Sequence, residues 1–280
     1  MTASTEHELG LPHIAGCVAL SKAANWNQNE ADWRLMLELG HGLGLSLADG
    51  TLIASTLVLP YGDFAWISMV LVHPAHRRQG HASRLLRVAI SDLRSMGLTP
   101  ILDATPAGRE VYRQEGFRDT WTFKRFHLKS GTDHVFGSSG SLRKTWSVPD
   151  FGAGGLAVLD REAFGADRTP LLRGLQQRLP QAALSDPNGF VLGREGREAQ
   201  QIGPLIARNE RTALALLEQA LQNVAPPVYV DVADHAWAVQ QLLHAQGFAV
   251  QRPFTRMVHG ANRAPGNEQL VYLVAGPELG

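Results

Sequence analysis

Two stretches of this sequence carry residue types that could do chemistry together. The first reads His73-Pro74-Ala75-His76-Arg77-Arg78-Gln79-Gly80-His81-Ala82 and leads from an apolar run into a helical pattern. A helix start presents backbone N–H groups without intrahelical partners, and the helix dipole adds positive potential, so an anion is favoured there. Gly80 allows the backbone to approach a phosphate where a Cβ would intrude. Arg77 and Arg78 add positive charge beside it. The segment therefore suits a pyrophosphate; a basic helix start with two solvated arginines is the plainer alternative. The second stretch runs from Thr105 through Gly108 and Tyr112 to Gly116-Phe117 and places a phenol, a proton donor, on a short helix.

The elements that must position these groups are legible from periodicity. Ala82, Leu85, Leu86, Ala89, Ile90 and Leu93 form one apolar stripe at helical spacing, and Gly97 closes that helix. Ala65–Val72 reads as a strand cut off by His73-Pro74, and Ile101–Ala104 as a second strand. Thr105 can cap the next helix, with Pro106 at its first position. Upstream, Trp26–Leu39 looks helical, with Trp33, Met36 and Leu37 turned inward. Leu43–Leu47 and Thr51–Leu59 look like strands joined at Asp49-Gly50, a hairpin signal. The expected class is α/β: a sheet that begins antiparallel and then takes in crossover helices.

The C-terminal half repeats this order. Leu156–Leu179 looks largely helical, and Gly189–Leu192 and Gln201-Ile202 look like strands. Asn209 can cap a helix with Ala213, Leu214, Leu217, Ala220 and Leu221 inward. Val228–Val232 is a strand, and Asp234 can cap a helix ending at Gly247-Phe248, the counterpart of Gly116-Phe117. A diverged internal repeat follows, with residues 1–130 as the first domain, 131–141 as linker within the polar run Lys129–Ser141, and 142–280 as the second.

Composition bounds the rest. A chain of 280 residues, 44% hydrophobic and 19% charged, suits two ordinary globular domains. Net charge is zero, which gives no general argument for nucleic acid or anionic membrane as partner. Apolar runs fall short of the roughly 18 residues of a membrane helix. Cys17, the single cysteine, fits a reducing compartment and a buried packing role. With no signal-peptide pattern at Met1–Glu6, a cytoplasmic location is expected. His73, His76 and His81 lack companion ligands at metal spacing, so no metal is expected.

The first stretch resembles the acyl-CoA signature of the GNAT N-acetyltransferase superfamily: Arg or Gln, two residues, Gly, one residue, Gly or Ala. Arg77, Gly80 and Ala82 fill those places. The resemblance implies two GNAT-like domains in tandem, each a mixed, mostly antiparallel sheet with a splayed central parallel pair flanked by helices. It implies acetyl-CoA as cosubstrate, with pantetheine contacts at the backbone of Val70, Leu71 and Val72. Phosphate contacts fall on Arg77, Arg78, Gln79, Gly80, His81 and Ala82, and further contacts on Thr105 and Gly108, where family members often carry Asn and Ala. Tyr112 matches the tyrosine whose hydroxyl faces the CoA sulfur, and the Val72 N–H the oxyanion donor. Asn25-Trp26-Asn27 with Asp32-Trp33 is similar to a branch whose second domain is degenerate.

In that second copy Leu243 stands where Tyr112 does and Arg211 where Gly80 does, so it is expected neither to bind CoA nor to catalyse. The implied activity is transfer of acetyl to a primary amine of a small molecule; the alternative is an acyl-CoA sensor or partner-binding module. No nucleic-acid or membrane partner is expected, and a homodimer is an open option. Trp26 is a candidate for the acceptor site. For the base that frees the amine, Asp103, Glu38 and His41 are the candidates.

Overall fold

The computed structural model describes residues 4–130, 146–152 and 154–280; the expected linker 131–141 lies outside them. The first half contains β1 (Ser4–Leu9), α1 (Ile14–Ala23), α2 (Glu30–Leu39), β2 (His41–Leu47), β3 (Leu52–Tyr61), β4 (Phe64–Val72), α3 (His81–Ser95), β5 (Thr99–Ala104), α4 (Pro106–Gln114) and β6 (Phe117–Leu128). The second contains α5 (Gly155–Phe164), α6 (Thr169–Arg178), β7 (Leu184–Asp186), β8 (Gly189–Arg194), β9 (Gln200–Ala207), α7 (Glu210–Gln222), β10 (Val228–Ala233), α8 (Trp237–Ala245), β11 (Ala249–His259) and β12 (Val271–Leu273).

Local chemistry explains most boundaries. The β2–β3 hairpin turns at Gly50 (φ 85), and Asp49 Oδ1 accepts the Thr51 N–H at 2.9 Å. Leu85, Leu86, Ala89, Ile90 and Leu93 of α3 are buried against the sheet, each leucine and the isoleucine contributing about 1.5–3 kcal/mol by the usual area relation. Gly97 (φ 74) ends α3 and Gly116 (φ 92) follows α4, both left-handed as a glycine allows.

Several expectations are corrected. Trp26–Asn29 is a loop, and α2 begins at Glu30 because Asn29 and Asp32 cap it reciprocally, each side chain bonded to the other's N–H at 3.0 Å. Leu156–Leu179 is largely helical as expected, in two helices with a break at Gly165 (φ 98). Leu214 is only half-buried, and Leu216 faces inward instead. Asp234 caps nothing: α8 begins at Trp237 without a side-chain cap, and the Asp234 carboxylate takes Lys124 and Thr122 of β6.

All twelve strands form one sheet in the order β1-β2-β3-β4-β5-β11-β6-β10-β12-β9-β8-β7. The two halves exchange their exit strands. β11, from the second half, lies antiparallel to β5 (Ala104 opposite Thr255). β6, from the first, lies antiparallel to β10 (Leu128 opposite Val228). β6 and β11 run side by side at the centre. The core follows the exchange: one cluster joins Trp33 and Trp66 to Phe190 and Ile206.

Buried charges pin the crossing. Arg125 of β6 donates to both oxygens of Asp231 on β10, at 2.8 and 2.6 Å. Arg256 of β11 grips both oxygens of Asp103 on β5 at 3.0 Å, its guanidinium between Trp66 (4.4 Å) and Trp121 (4.2 Å). Removing one member of such a pair leaves the other charged and dry. Asp231→Ala is expected to destabilise the protein by about 3–5 kcal/mol, read as a lowered urea midpoint, whereas Glu30→Ala, which breaks an exposed pair with Arg34, shifts it by under about 1 kcal/mol.

Candidate active site

β4 and β5 pair in parallel only from Phe64–Trp66 to Thr99–Ile101. Beyond Trp66 the strands splay, and the β5 side of β4 has no ladder partner. Opposite β3, the register slips between Ser68 and Leu71; Met69 there adopts φ 49, and its carbonyl accepts Ser55 Oγ at 2.8 Å. The bulge places Ser68, Met69 and Val70 along a cavity in the splay.

Three neighbouring openings follow the splay, and Trp26 and Val70 line all three. The outermost, about 400 Å³, runs along Val70, Leu71 and Val72 to Arg77, Arg78, Gly80, His81 and Ala82. Gly80 (φ 80) precedes α3, and no side chain caps that helix start. Arg77 Nε donates to the Val72 carbonyl at 3.3 Å. Arg78 and Gln79 are exposed. Among the described residues no carboxylate pairs with Arg77 or Arg78, and no cluster of metal ligands exists.

The middle opening passes between Ala82 and Leu86 of α3 and Thr105, Gly108 and Tyr112. Thr105 Oγ1 accepts the Gly108 N–H at 3.3 Å, capping α4. A Cβ on Gly108 would lie 3.0 Å from the Tyr112 ring, so glycine lets the ring settle against the helix start. The Tyr112 hydroxyl makes no hydrogen bond among the described residues, and burial raises it to about 12.

The innermost cavity lies under Tyr112 and draws walls from both halves: Ser68 and Asp103 from the first, Arg125, Arg252 and Phe254 from the exchanged strands, and Glu278 from the segment after β12. Trp66 Nε1 donates to the Pro277 carbonyl and Tyr61 Oη to that of Leu279, both at 3.0 Å, which fixes that segment. Trp26 reaches the cavity on a loop tied to the second half: Asn27 Oδ1 accepts the Glu198 and Ala199 N–H groups at 2.8 and 2.9 Å. A Cβ on Gly196 would fall 2.3 Å from the Asn27 amide.

The structure thus brings together every expected site residue except Gln79, which sits on the same loop but is not among the residues lining the groove. It corrects the candidate bases. Asp103 faces the cavity, but both its oxygens hold Arg256; Glu38 is exposed, and neither it nor His41 lines the openings. Cys17 is fully buried, and desolvation pushes its thiol up to about 12. Sequence reasoning missed Gln28, Ser68, Arg125, Arg252, Phe254 and Glu278. Strand alternation puts Arg252, Phe254 and Arg256 on one face, but the partner strand could not be read from the chain.

The second half is built differently at the same places. Asn209 Oδ1 accepts the Thr212 N–H at 2.9 Å, so α7 caps itself where α3 stays open. β9 and β10 pair in parallel from Gln200–Ile202 to Val228–Val230, and the gap beyond is filled by β12, antiparallel to both. Gly80→Ala is expected to cost about 1 kcal/mol in denaturant unfolding, from the left-handed backbone alone, because the added methyl meets nothing within 4 Å.

Residues 14–117 match the acetyltransferase (GNAT) family, and residues 156–273 match an acetyltransferase (GNAT) domain, so the two matches together span most of the chain. No curated protein matches. Among solved structures, a candidate acetyltransferase from Pyrococcus horikoshii superposes with a TM-score of 0.81 at 20% identity, over 100% of this chain and 97% of that one. A GCN5-related N-acetyltransferase from Sphaerobacter thermophilus gives 0.64 at 17%, over 95% and 97%. A tandem GNAT protein from the clavulanic acid biosynthesis pathway gives 0.60 at 14%, over 91% and 98%. At these identities the structures speak for the fold, and the two family matches for the lineage: the chain belongs to the GNAT acetyltransferases and carries two GNAT domains in tandem.

Proposed function

We propose that this protein transfers the acetyl group of acetyl-CoA directly to a primary amine of a small molecule, in a ternary complex, at the site in its first half. The observation that carries the reading is the succession of three openings that share Trp26 and Val70 in their walls, from an uncapped basic helix start, along unpaired β4 backbone, to a free phenol and a cavity lined by charged side chains. Uncapped N–H groups beside Arg77 and Arg78 suit a diphosphate. A strand edge without a partner suits an amide-bearing arm. The Val72 N–H is the assigned oxyanion donor.

When bound, the thioester supplies the electrophilic carbonyl. The amine lone pair forms the N–C bond as the C–S bond breaks, the sulfur takes the electron pair, and the nitrogen releases a proton to solvent as the amide forms. Tyr112, neutral before the step, donates a hydrogen bond to that sulfur and then its proton, which solvent restores. At about 12 it is a weaker acid than a free phenol, so the hydrogen bond matters first. Because the phenol is the working form and lies below its pKa throughout, the rate should show no loss from tyrosine ionisation between about pH 7 and 10.

The second half, with β12 in its gap and a self-capped α7, is assigned a structural role as the wall of the acceptor cavity. Two measurements test the reading. Calorimetry on the full-length protein is expected to show acetyl-CoA uptake; its absence would end the proposal. Tyr112→Phe is expected to lower kcat by roughly 100-fold while leaving acetyl-CoA affinity within about threefold; unchanged turnover would remove the tyrosine from the chemistry, and uptake without transfer to any amine would favour a sensor.

A further inference from the structure

Four charged side chains line the cavity beneath Tyr112: Asp103, Arg125, Arg252 and Glu278. Asp103 and Arg125 are committed, each bidentate to a buried partner. The other two have capacity left. Glu278 is 2% exposed; Arg194 holds its Oε1, and its Oε2 has no hydrogen-bond partner among the described residues. Arg252 makes no ion pair among the described residues, and its buried Nε is likewise unpartnered. A β11 bulge at Gln251 sets Arg252 directly opposite Arg125 on β6, a juxtaposition of like charges that is unfavourable unless an anion joins them. Asp231 already serves Arg125. Burial first, and Arg125 second, hold the Arg252 guanidinium below its usual range.

Two more residues that line the cavity carry buried polar atoms without a partner among the described residues, Gln28 Oε1 and Ser68 Oγ, on side chains 3% and 7% exposed. Together with Glu278 Oε2 they make three hydrogen-bond acceptors without donors, and a primary ammonium offers three N–H donors. The space is about 40 Å³, room for roughly three waters, so the occupant is small.

We infer that the acceptor is a small zwitterion, an amine carrying its own carboxylate, with the carboxylate on Arg252 and the ammonium among Glu278 Oε2, Gln28 Oε1 and Ser68 Oγ. This rests on the acetyltransferase reading and names its substrate class. A guanidinium matches a carboxylate in shape as well as charge. Glu278 Oε2 then takes the proton that the ammonium sheds before its lone pair attacks the thioester carbon.

The test is thiol release from acetyl-CoA by the full-length protein, with glycine, alanine and β-alanine set against methylamine and ethylamine. At least one amino carboxylate is expected to exceed its carboxylate-free counterpart by roughly 100-fold or more in kcat/KM. Arg252→Gln is expected to shrink that ratio to a few-fold. Glu278→Gln is expected to lower turnover of both kinds of acceptor; should it fail to fold, the Arg252 comparison still decides. The inference is overturned if the simple amines do as well, if Arg252→Gln keeps the preference, or if a protein that takes up acetyl-CoA consumes none of the amino carboxylates. Lack of acetyl-CoA uptake overturns the acetyltransferase reading first, and this inference with it.

Discussion

The structure turns on a parallel strand pair that stops early. β4 and β5 hold together for three residue pairs and then part, leaving backbone groups of β4 without the partners that a sheet normally supplies. Nothing else in the first half would produce a slot running from the start of α3 to Tyr112. The second half makes the same break between β9 and β10 and closes it with β12. One geometry is left open as a slot in one copy and filled by the chain's own strand in the other. β12 is also the route by which Glu278 is carried back beneath Tyr112.

Keeping the slot open requires that the surrounding sheet not collapse into it. The exchanged strands β6 and β11 supply that rigidity, because β5 is held on its far side by β11 rather than by its own half. The ion pairs at the crossing are buried, so each is costly to form and costlier to break. Their placement makes sense as registration: Arg125 with Asp231 and Arg256 with Asp103 fix which residues of the exchanged strands face the cavity. A purely apolar crossing would hold as well but would tolerate slippage, and a one-residue slip would turn Arg252 and Phe254 out of the site.

Much of the first half was legible because its signals are local. The α3 stripe, the Gly80 loop, the Thr105 cap and the Asp49-Gly50 turn are each written within a few residues, and each stands where periodicity put it. The cavity beneath Tyr112 was not legible, because its walls come from residues between 26 and 278, several of which are brought in by the exchanged strands and the segment after β12. Asp103 illustrates the limit. It stood among three candidate bases, but the partner that commits it, Arg256, lies on a strand of the other half. Asp234 misled in the same way: its type and place suited a helix cap, yet β6 passes close enough to claim it. β12, with three residues, is too short for any pattern to show.

The Asn27 loop has a consequence for the life of the two copies together. Its side chain amide and the backbone of Arg197–Ala199 interlock so closely that Gly196 has no room for a side chain, and the neighbouring Trp26 overlooks every opening of the slot. The second copy therefore acts as the mould in which the loop at the first copy's slot is cast. The β8–β9 turn is thus constrained by the shape that seats this loop, whatever else it does.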